Sequence, residues 1–330
     1  MSSVNFKSIG VYHPQNKVPN EVLNAHFAKI GQDTSSILER IGIKNRYLSE
    51  DSAENSLTMA QHACEDALSR AGLSGADIDL WAFTSSSPEY LAPTNALLLH
   101  RYLGGKKEAH VYDLNSNCVG MLVGVENASR YMLTNPEVRY AIIIGSEQMH
   151  RYSSDTDAFT YSGFGDAACA VILEKDATEQ SGLVASTFHT STAVFDCNFP
   201  KCGLSGVYSP ETAPEDKLVM WEGGFPTADF VLAKFLIESV LMKGNIKKSE
   251  ISSYFISQVS LENISALAES LEESMVKFPH VGDRYGYTGT SSPFLAFYHA
   301  WDSQTIKRGD YIVFWSVGTG YTACSLLWKF

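Results

Sequence analysis

Cys118 stands in "DLNSNCVGMLVGVENASRYML" (113–133), between two unlike patterns. Polar residues lead into it, and an apolar run broken by Gly120 and Gly124 follows it. Two chemistries are open to a cysteine in that setting. A thiolate is a nucleophile, and the unpaired N–H groups and macrodipole of a helix N-terminus favour its negative charge. A thiol beside an apolar helix can equally be a small buried hydrophobe. The two glycines, four residues apart, leave room for a ligand or a second backbone to come close. Taken locally, both readings stay open.

A nucleophile needs partners. Of the nine histidines, only His189 and His280 fall in segments where a substitute base would be sought, and surface or structural roles are the simpler reading of each. Cys197 and Cys202 form a C-x4-C pair with no second pair and no histidine nearby, which does not match zinc-ligand spacing.

The elements that must position these residues follow from periodicity. Short runs rich in β-branched and aromatic residues alternate with longer helical patterns, which predicts α/β architecture. Strands are expected at 80–86, 110–115, 139–146, 167–174, 253–259, 310–317 and 322–328. Helices are expected at 56–72, after Cys118, at 228–244 and at 261–275. Two echoes connect distant segments. "GDAACAVILEK" from Gly165 matches "GYTACSLLWK" from Gly320, and "AGLSGADIDLWAFTS" (71–85) matches "KGNIKKSEISSYFIS" (243–257). Echoes in the same order predict a duplicated α/β half, with a boundary near 175–185. The Pro/Gly/Ser/Thr-rich stretch 186–217 reads as a long loop insertion of the kind that serves binding.

Composition narrows the function classes. The 330 residues carry a net charge of -12, which argues against nucleic acid or an anionic membrane as partner. No apolar run reaches the roughly 20 residues needed to span a bilayer. The first residues lack the apolar core and cleavage site of a signal peptide. Six cysteines in so long a chain are expected to be reduced, so a cytoplasmic protein is expected.

Several stretches together resemble one family. "DLNSNCVGMLVGVENASRYM", "RYAIIIGSE", "GFGDAACAVILE", "GDRYGYTGTSSP", "LERIGIKNRYL" and the C-terminal "KRGDYIVFWSVGTGYTACSLLWKF" are similar to β-ketoacyl-acyl-carrier-protein synthase III, among the thiolase-fold condensing enzymes. The resemblance runs nearly end to end. It implies a thiolase fold, with duplicated halves in a five-layered α-β-α-β-α arrangement, and a dimer. The halves are expected at 1–178, carrying the nucleophile, and 179–330, carrying the insertion.

Residue by residue, the resemblance makes Cys118 the acyl-accepting nucleophile and the backbone N–H groups of Cys118 and Thr319 the oxyanion hole. It also exposes departures. Ser257, in "SQVS", takes the place of the family's catalytic histidine, and Tyr287, in "RYGY", that of its asparagine. A serine hydroxyl donates a hydrogen bond but is a poor base near neutral pH, and tyrosine is far bulkier than asparagine. Arg40 keeps the motif arginine at the phosphopantetheine entrance, but Ser36 and Ala158 replace the two adenine-stacking residues. No bound cofactor is implied. An acyl carrier protein, with its phosphopantetheine thioester, is expected as donor and coenzyme A is disfavoured. Arg40 and the basic residues of "KKEAH" and "IKNRYL" are expected to meet the acidic helix of that partner. Ala92 replaces a bulky phenylalanine at the dimer-facing end of the acyl pocket and predicts room for a longer or wider acyl group.

The expected activity is acyl transfer from a carrier protein through a Cys118 thioester to an acceptor, in specialised polyketide or fatty-acid-like biosynthesis. The alternative is a catalytically deficient partner subunit of a heterodimeric ketosynthase. A decarboxylating 3-oxoacyl synthase with a non-standard triad ranks third.

Overall fold

The structure, a computed structural model, describes residues 3–177, 181–191, 197–221 and 229–330. Strand residues alternate between two faces, and in the central strands both faces are buried, so their apolar runs are continuous. The first sheet holds β1 (Ser3–Tyr12), β2 (Leu80–Thr84), β3 (His110–Leu114), β4 (Tyr140–Glu147) and β5 (Ala167–Asp176), in the order β1-β5-β4-β2-β3. The second holds β6 (Gly182–Thr190), β7 (Ile251–Ile256), β8 (Tyr311–Gly318) and β9 (Thr322–Lys329), in the order β6-β9-β8-β7.

The sheets repeat one topology. Along β1-β5-β4-β2 and along β6-β9-β8-β7, two antiparallel pairings are followed by a parallel one. The sequence echoes fall on equivalent strands, Gly165 and Gly320 leading into β5 and β9. The strands β2 and β7 are each preceded by a 3-10 turn, Gly75–Asp77 and Lys248–Glu250. The last acid of each turn accepts the N–H that opens it, Ser74 to Asp77 at 2.8 Å and Lys247 to Glu250 at 2.9 Å.

Helices fill the layers: α1 (Ser35–Ile41), α2 (Ser56–Ala71), α3 (Asn95–Tyr102), α4 (Gly120–Thr134), α5 (Asp229–Gly244), α6 (Leu261–Ser270) and α7 (Ser292–Asp302). On β4, Ile142 and Ile144 face α2 and α3, while Ala141 and Ile143 face the central layer of α4 and α7. On β8, Ile312 and Phe314 face that central layer, while Val313 and Trp315 face α5 and α6. The result is the thiolase-type α-β-α-β-α stack, with α4 and α7 buried between the sheets.

Several expectations need correction. The insertion does not begin as a loop at 186, because β6 continues to Thr190 and pairs with β9. Within it, Cys197–Asn198 pairs antiparallel with Met220–Trp221, which lies just beyond its expected end. The strand expected at 253–259 ends at Ile256, and the helix expected at 261–275 ends at Ser270. Two residues past that end, Glu272 takes a left-handed φ of 54°, which a continuing helix does not accommodate. The boundary expected at 178/179 lies outside the described residues. Among the described residues, no helix is long and apolar enough to cross a membrane.

Candidate active site

After β3 the chain makes a 3-10 turn, Asn117–Val119, that feeds directly into α4. Asn117 sits at φ 52°, in the left-handed region that asparagine tolerates better than most residues. Gly120 is required by contact, since a Cβ there would meet Thr84 Oγ1 at 1.9 Å. Three further contacts clamp the turn. Ser316 Oγ donates to the Cys118 carbonyl at 2.8 Å, Asn117 Nδ2 donates to the Thr319 carbonyl at 3.0 Å, and the Met121 N–H donates to Thr290 Oγ1 at 2.7 Å. The last of these satisfies an orphan first-turn donor of α4.

Cys118 opens onto a cavity of about 320 Å³ that Asn117, Tyr287 and Thr319 also line. Met149, Phe164, Phe199, Val219 and Trp221 supply its apolar wall, and Cys197 and Asn198 its rim. The insertion thus contributes to the cavity through Cys197, Asn198 and Phe199, and the residues just after it through Val219 and Trp221.

The backbone N–H groups of Cys118 and Thr319 both act on the Cys118 sulfur, and the Tyr287 hydroxyl faces it as a third donor. All three favour the thiolate. Burial outweighs them and, with the negative charge of Glu147 adding to it, pushes the thiol up to about 12. The N–H groups of the turn do lower the thiol, as expected, but burial outweighs them. The side chain is 4% exposed, and at neutral pH the resting group is the thiol.

Tyr287 is held by its backbone: its N–H donates to the Gly163 carbonyl at 2.8 Å and its carbonyl accepts from the Gly165 N–H at 3.0 Å. Burial drives its phenol well above the usual range, so it is a donor at all ordinary pH. Ser257 is buried beside Tyr287, its N–H bound to the Trp315 carbonyl at 3.0 Å. The Ser257 hydroxyl makes no hydrogen bond of standard geometry. Of the two positions that depart from the family pattern, Tyr287 therefore faces the thiol and Ser257 lies behind it, against Tyr287. Neither His189, half-buried on β6, nor His280, held neutral by burial, lines the cavity.

Other expected residues lie elsewhere. Arg40 is exposed on α1 and forms a 2.7 Å ion pair with Glu262 of α6, while Leu38 and Ile41 of the same helix pack in the cluster that contains Cys118. Arg46, of the "IKNRYL" stretch, cannot meet a partner because it is fully buried; its guanidinium donates to the Ser162 carbonyl at 2.6 Å and the Val18 carbonyl at 3.3 Å. Lys106, of "KKEAH", is paired with Asp79. Ala92 is exposed, and the single chain does not bring it into the cavity. Ser36 is exposed and Ala158 half-buried.

Two residues of the site were not read from sequence. Gln258, fully buried, ties the loop after β7 to the loop before Tyr287: its Oε1 accepts the Val281 N–H at 2.9 Å and its Nε2 donates to the Ile256 carbonyl at 2.7 Å. Glu147, at the end of β4, has no exposed surface. It accepts from Ser85 Oγ at 3.2 Å, the Ser86 N–H at 3.0 Å and Ser87 Oγ at 2.8 Å, yet burial still pushes its carboxyl up to about 7. The signal in the sequence was an acid ending an apolar run, "YAIIIGSE".

The arrangement can stabilise an oxyanion formed when a carbonyl is attacked by Cys118. Preorganised backbone donors of this kind are worth roughly 3–4 kcal/mol each.

Known proteins resemble the chain over nearly its whole length. Residues 112–192 match the family model for 3-oxoacyl-[acyl-carrier-protein] synthase III, and residues 241–330 match that for its C-terminal part. The β-ketoacyl-[acyl-carrier-protein] synthase III of Thioalkalivibrio sulfidiphilus is 30% identical over 322 residues, covering 95% of this chain and 96% of that protein. The enzyme of the same name from Coxiella burnetii (strain CbuK_Q154) is 27% identical, covering 97% of each. Among solved structures, the 3-oxoacyl-[acyl-carrier-protein] synthase III of Aquifex aeolicus VF5 superposes with a TM-score of 0.88 at 24% identity over 100% of both chains. Xanthomonas campestris OleA, solved with bound lauric acid and lauroyl-CoA, gives 0.84 at 17% identity over 99% of each, a likeness of fold alone. With its fold and the matches spanning nearly its whole length, the chain belongs to the 3-oxoacyl-[acyl-carrier-protein] synthase III family of enzymes.

Proposed function

We propose that Cys118 accepts an acyl group as a thioester from the phosphopantetheine arm of an acyl carrier protein and passes it to an acceptor. The observation that carries this reading is the convergence of the Cys118 and Thr319 N–H groups on the Cys118 sulfur in a cavity. The names of the relatives supply the carrier protein as donor class. Serine and alanine at positions 36 and 158 speak against coenzyme A as the donor. Ser257 and Tyr287 act as hydrogen-bond donors and supply no base, so an acceptor that brings its own nucleophile is favoured over decarboxylative condensation. The halves 1–178 and 179–330 close the site between them, and a homodimer is the working assembly.

A second reading, a catalytically deficient subunit paired with a related ketosynthase, draws support from the protonated thiol and from a cavity whose described lining holds no histidine. Intact-protein mass after incubation with acetyl, octanoyl and aryl carrier-protein thioesters separates the two. An adduct that is lost in Cys118→Ala supports the first reading. Absence of any adduct, with co-purification of a relative that keeps the family histidine and asparagine, supports the second.

A further inference from the structure

Acylation of Cys118 requires a proton to leave the thiol and later reach the departing carrier thiol. The family's histidine is replaced by Ser257, and Tyr287 is a donor rather than an acceptor at ordinary pH. Glu147 is the buried carboxyl coupled to both Cys118 and Tyr287.

Its surroundings also frame the nucleophile. The end of β2 touches both groups: Thr84 lies under Gly120, and Ser85 to Ser87 hold the Glu147 carboxyl. The Gly289–Ser291 turn touches both again. Thr290 Oγ1 accepts the Met121 N–H, and a Cβ at Gly289 would meet Glu147 Cγ at 2.8 Å. Ser86, whose N–H binds the carboxylate, lines the cavity with Cys118. The donors are unevenly shared. Oε2 accepts from Ser85 Oγ, the Ser86 N–H and Ser87 Oγ, whereas Oε1 accepts from the Ser86 N–H. Oε1 is therefore the better seat for a proton.

We propose that Glu147 takes the Cys118 proton during acylation and returns it to the departing carrier thiol. This deepens the acyl-enzyme reading and rests on it. The Cys118 S–H bond breaks and its proton goes to the Glu147 carboxylate, while the sulfur bonds to the thioester carbonyl carbon. The bond from that carbon to the carrier sulfur then breaks, and the proton leaves Glu147 for that sulfur. Nothing is oxidised or reduced, and no proton is gained or lost overall. Transfer across one intervening water is within the ordinary scope of general-base catalysis.

The carboxyl is suited to the task because it changes charge near neutrality. The titratable groups coupled to it are Cys118 on its turn and Tyr287 on the loop after Gly286. The loop after β2 presents serines, β5 presents Ala167 and the turn after Tyr287 presents Gly289. None of these is a cation.

The test is the pH profile of iodoacetamide alkylation at Cys118, followed by peptide mass in the full chain. The thiolate fraction alone gives a steady rise with pH, and the wild-type rate is expected to show an added component that inflects at about 7, where Glu147 becomes a carboxylate. Glu147→Gln should lose that inflection and keep only the steady rise. Ser87→Ala keeps the carboxyl but removes a donor that favours its charge, and should move the inflection to higher pH; it also serves if the glutamine variant fails to fold. An unchanged profile in Glu147→Gln would overturn the proposal. Faster alkylation at every pH would also overturn it, because the carboxylate would then merely oppose the thiolate. The acyl-enzyme reading is judged separately by the wild-type acyl adduct, so failure of one is distinguishable from failure of the other.

Discussion

Asn117 Nδ2 donates to the Thr319 carbonyl at 3.0 Å, joining residues 202 apart in sequence. The bond fixes the turn that carries the nucleophile to the loop that carries the second oxyanion donor. Asn117→Gly would remove that bond while relieving the left-handed φ, so backbone strain is not added. Acyl-adduct formation is expected to fall about tenfold, with thermal stability changed by no more than about 1 kcal/mol. Stopped-time intact mass and a melting curve check both parts.

Gly120→Ala places a methyl 1.9 Å from Thr84 Oγ1 and 3.0 Å from its Cβ. The end of β2 and the start of α4 must then separate, at a cost of roughly 1–3 kcal/mol. Adding Thr84→Ala removes the closer atom and should restore part of the loss. Denaturant unfolding of the single and double variants measures it, and equal stability of the two would show that the clash is relieved elsewhere.

Tyr287→Phe keeps the ring beside Phe164, 6.1 Å between centroids, and deletes the hydroxyl that favours the thiolate. The Cys118 pKa should rise further, so alkylation at a fixed, mildly alkaline pH should slow by about threefold to tenfold. A rate equal to wild type would show that the two backbone donors suffice.

Glu147 also leaves a mark on stability. Its carboxyl is raised in the folded chain, to about 7 from 4.5. The folded state therefore holds the proton more tightly than the unfolded one. The corresponding stabilisation is fully present below the unfolded value and is lost as pH rises through about 7, by on the order of 3 kcal/mol. Glutamine mimics the neutral carboxyl, so the wild type should lose melting temperature relative to Glu147→Gln as pH rises from about 4.5 through about 7; parallel curves would contradict it.

Much of this fold was legible because β4, β5, β8 and β9 are buried on both faces and spell continuous apolar runs. Five labelled elements were missed, α1, α3, β1, β6 and α7, and for three of them the physical reason is plain. In β1, "SVNFKSIGVY", polar residues interrupt the run, and Lys7 finds its partner in Glu174 of β5. Serine and threonine in β6, "GLVASTFHT", read as loop until β9 pairs with them. The α7 helix, "SPFLAFYHAWD", is apolar around most of its circumference because it lies between the sheets, so no amphipathic period marks it. Within the site, Cys118 and Thr319 were legible through family resemblance. Glu147 and Gln258 were not, since their roles come from contacts such as Ser85 to Glu147 and Gln258 to Val281 that no local pattern encodes. Burial depth escaped sequence reading too, and it outweighs the lowering effect of the N–H donors on the thiol.

Arg46 gives the tyrosine wall of the cavity an unusual mounting. Its Cβ lies 3.0 Å from where a side chain at Gly286 would begin, one residue before Tyr287, and its guanidinium is bound by carbonyls, with its pKa drawn down to about 10 by burial. A surface ion pair weakens as salt accumulates between its members, but a charge enclosed by peptide dipoles has no such exposure. Ionic strength should therefore divide the reaction in two. Encounter with a charged carrier, near exposed pairs such as Arg40–Glu262, should respond to added salt, whereas the intrinsic reactivity of Cys118 towards a small neutral reagent should not.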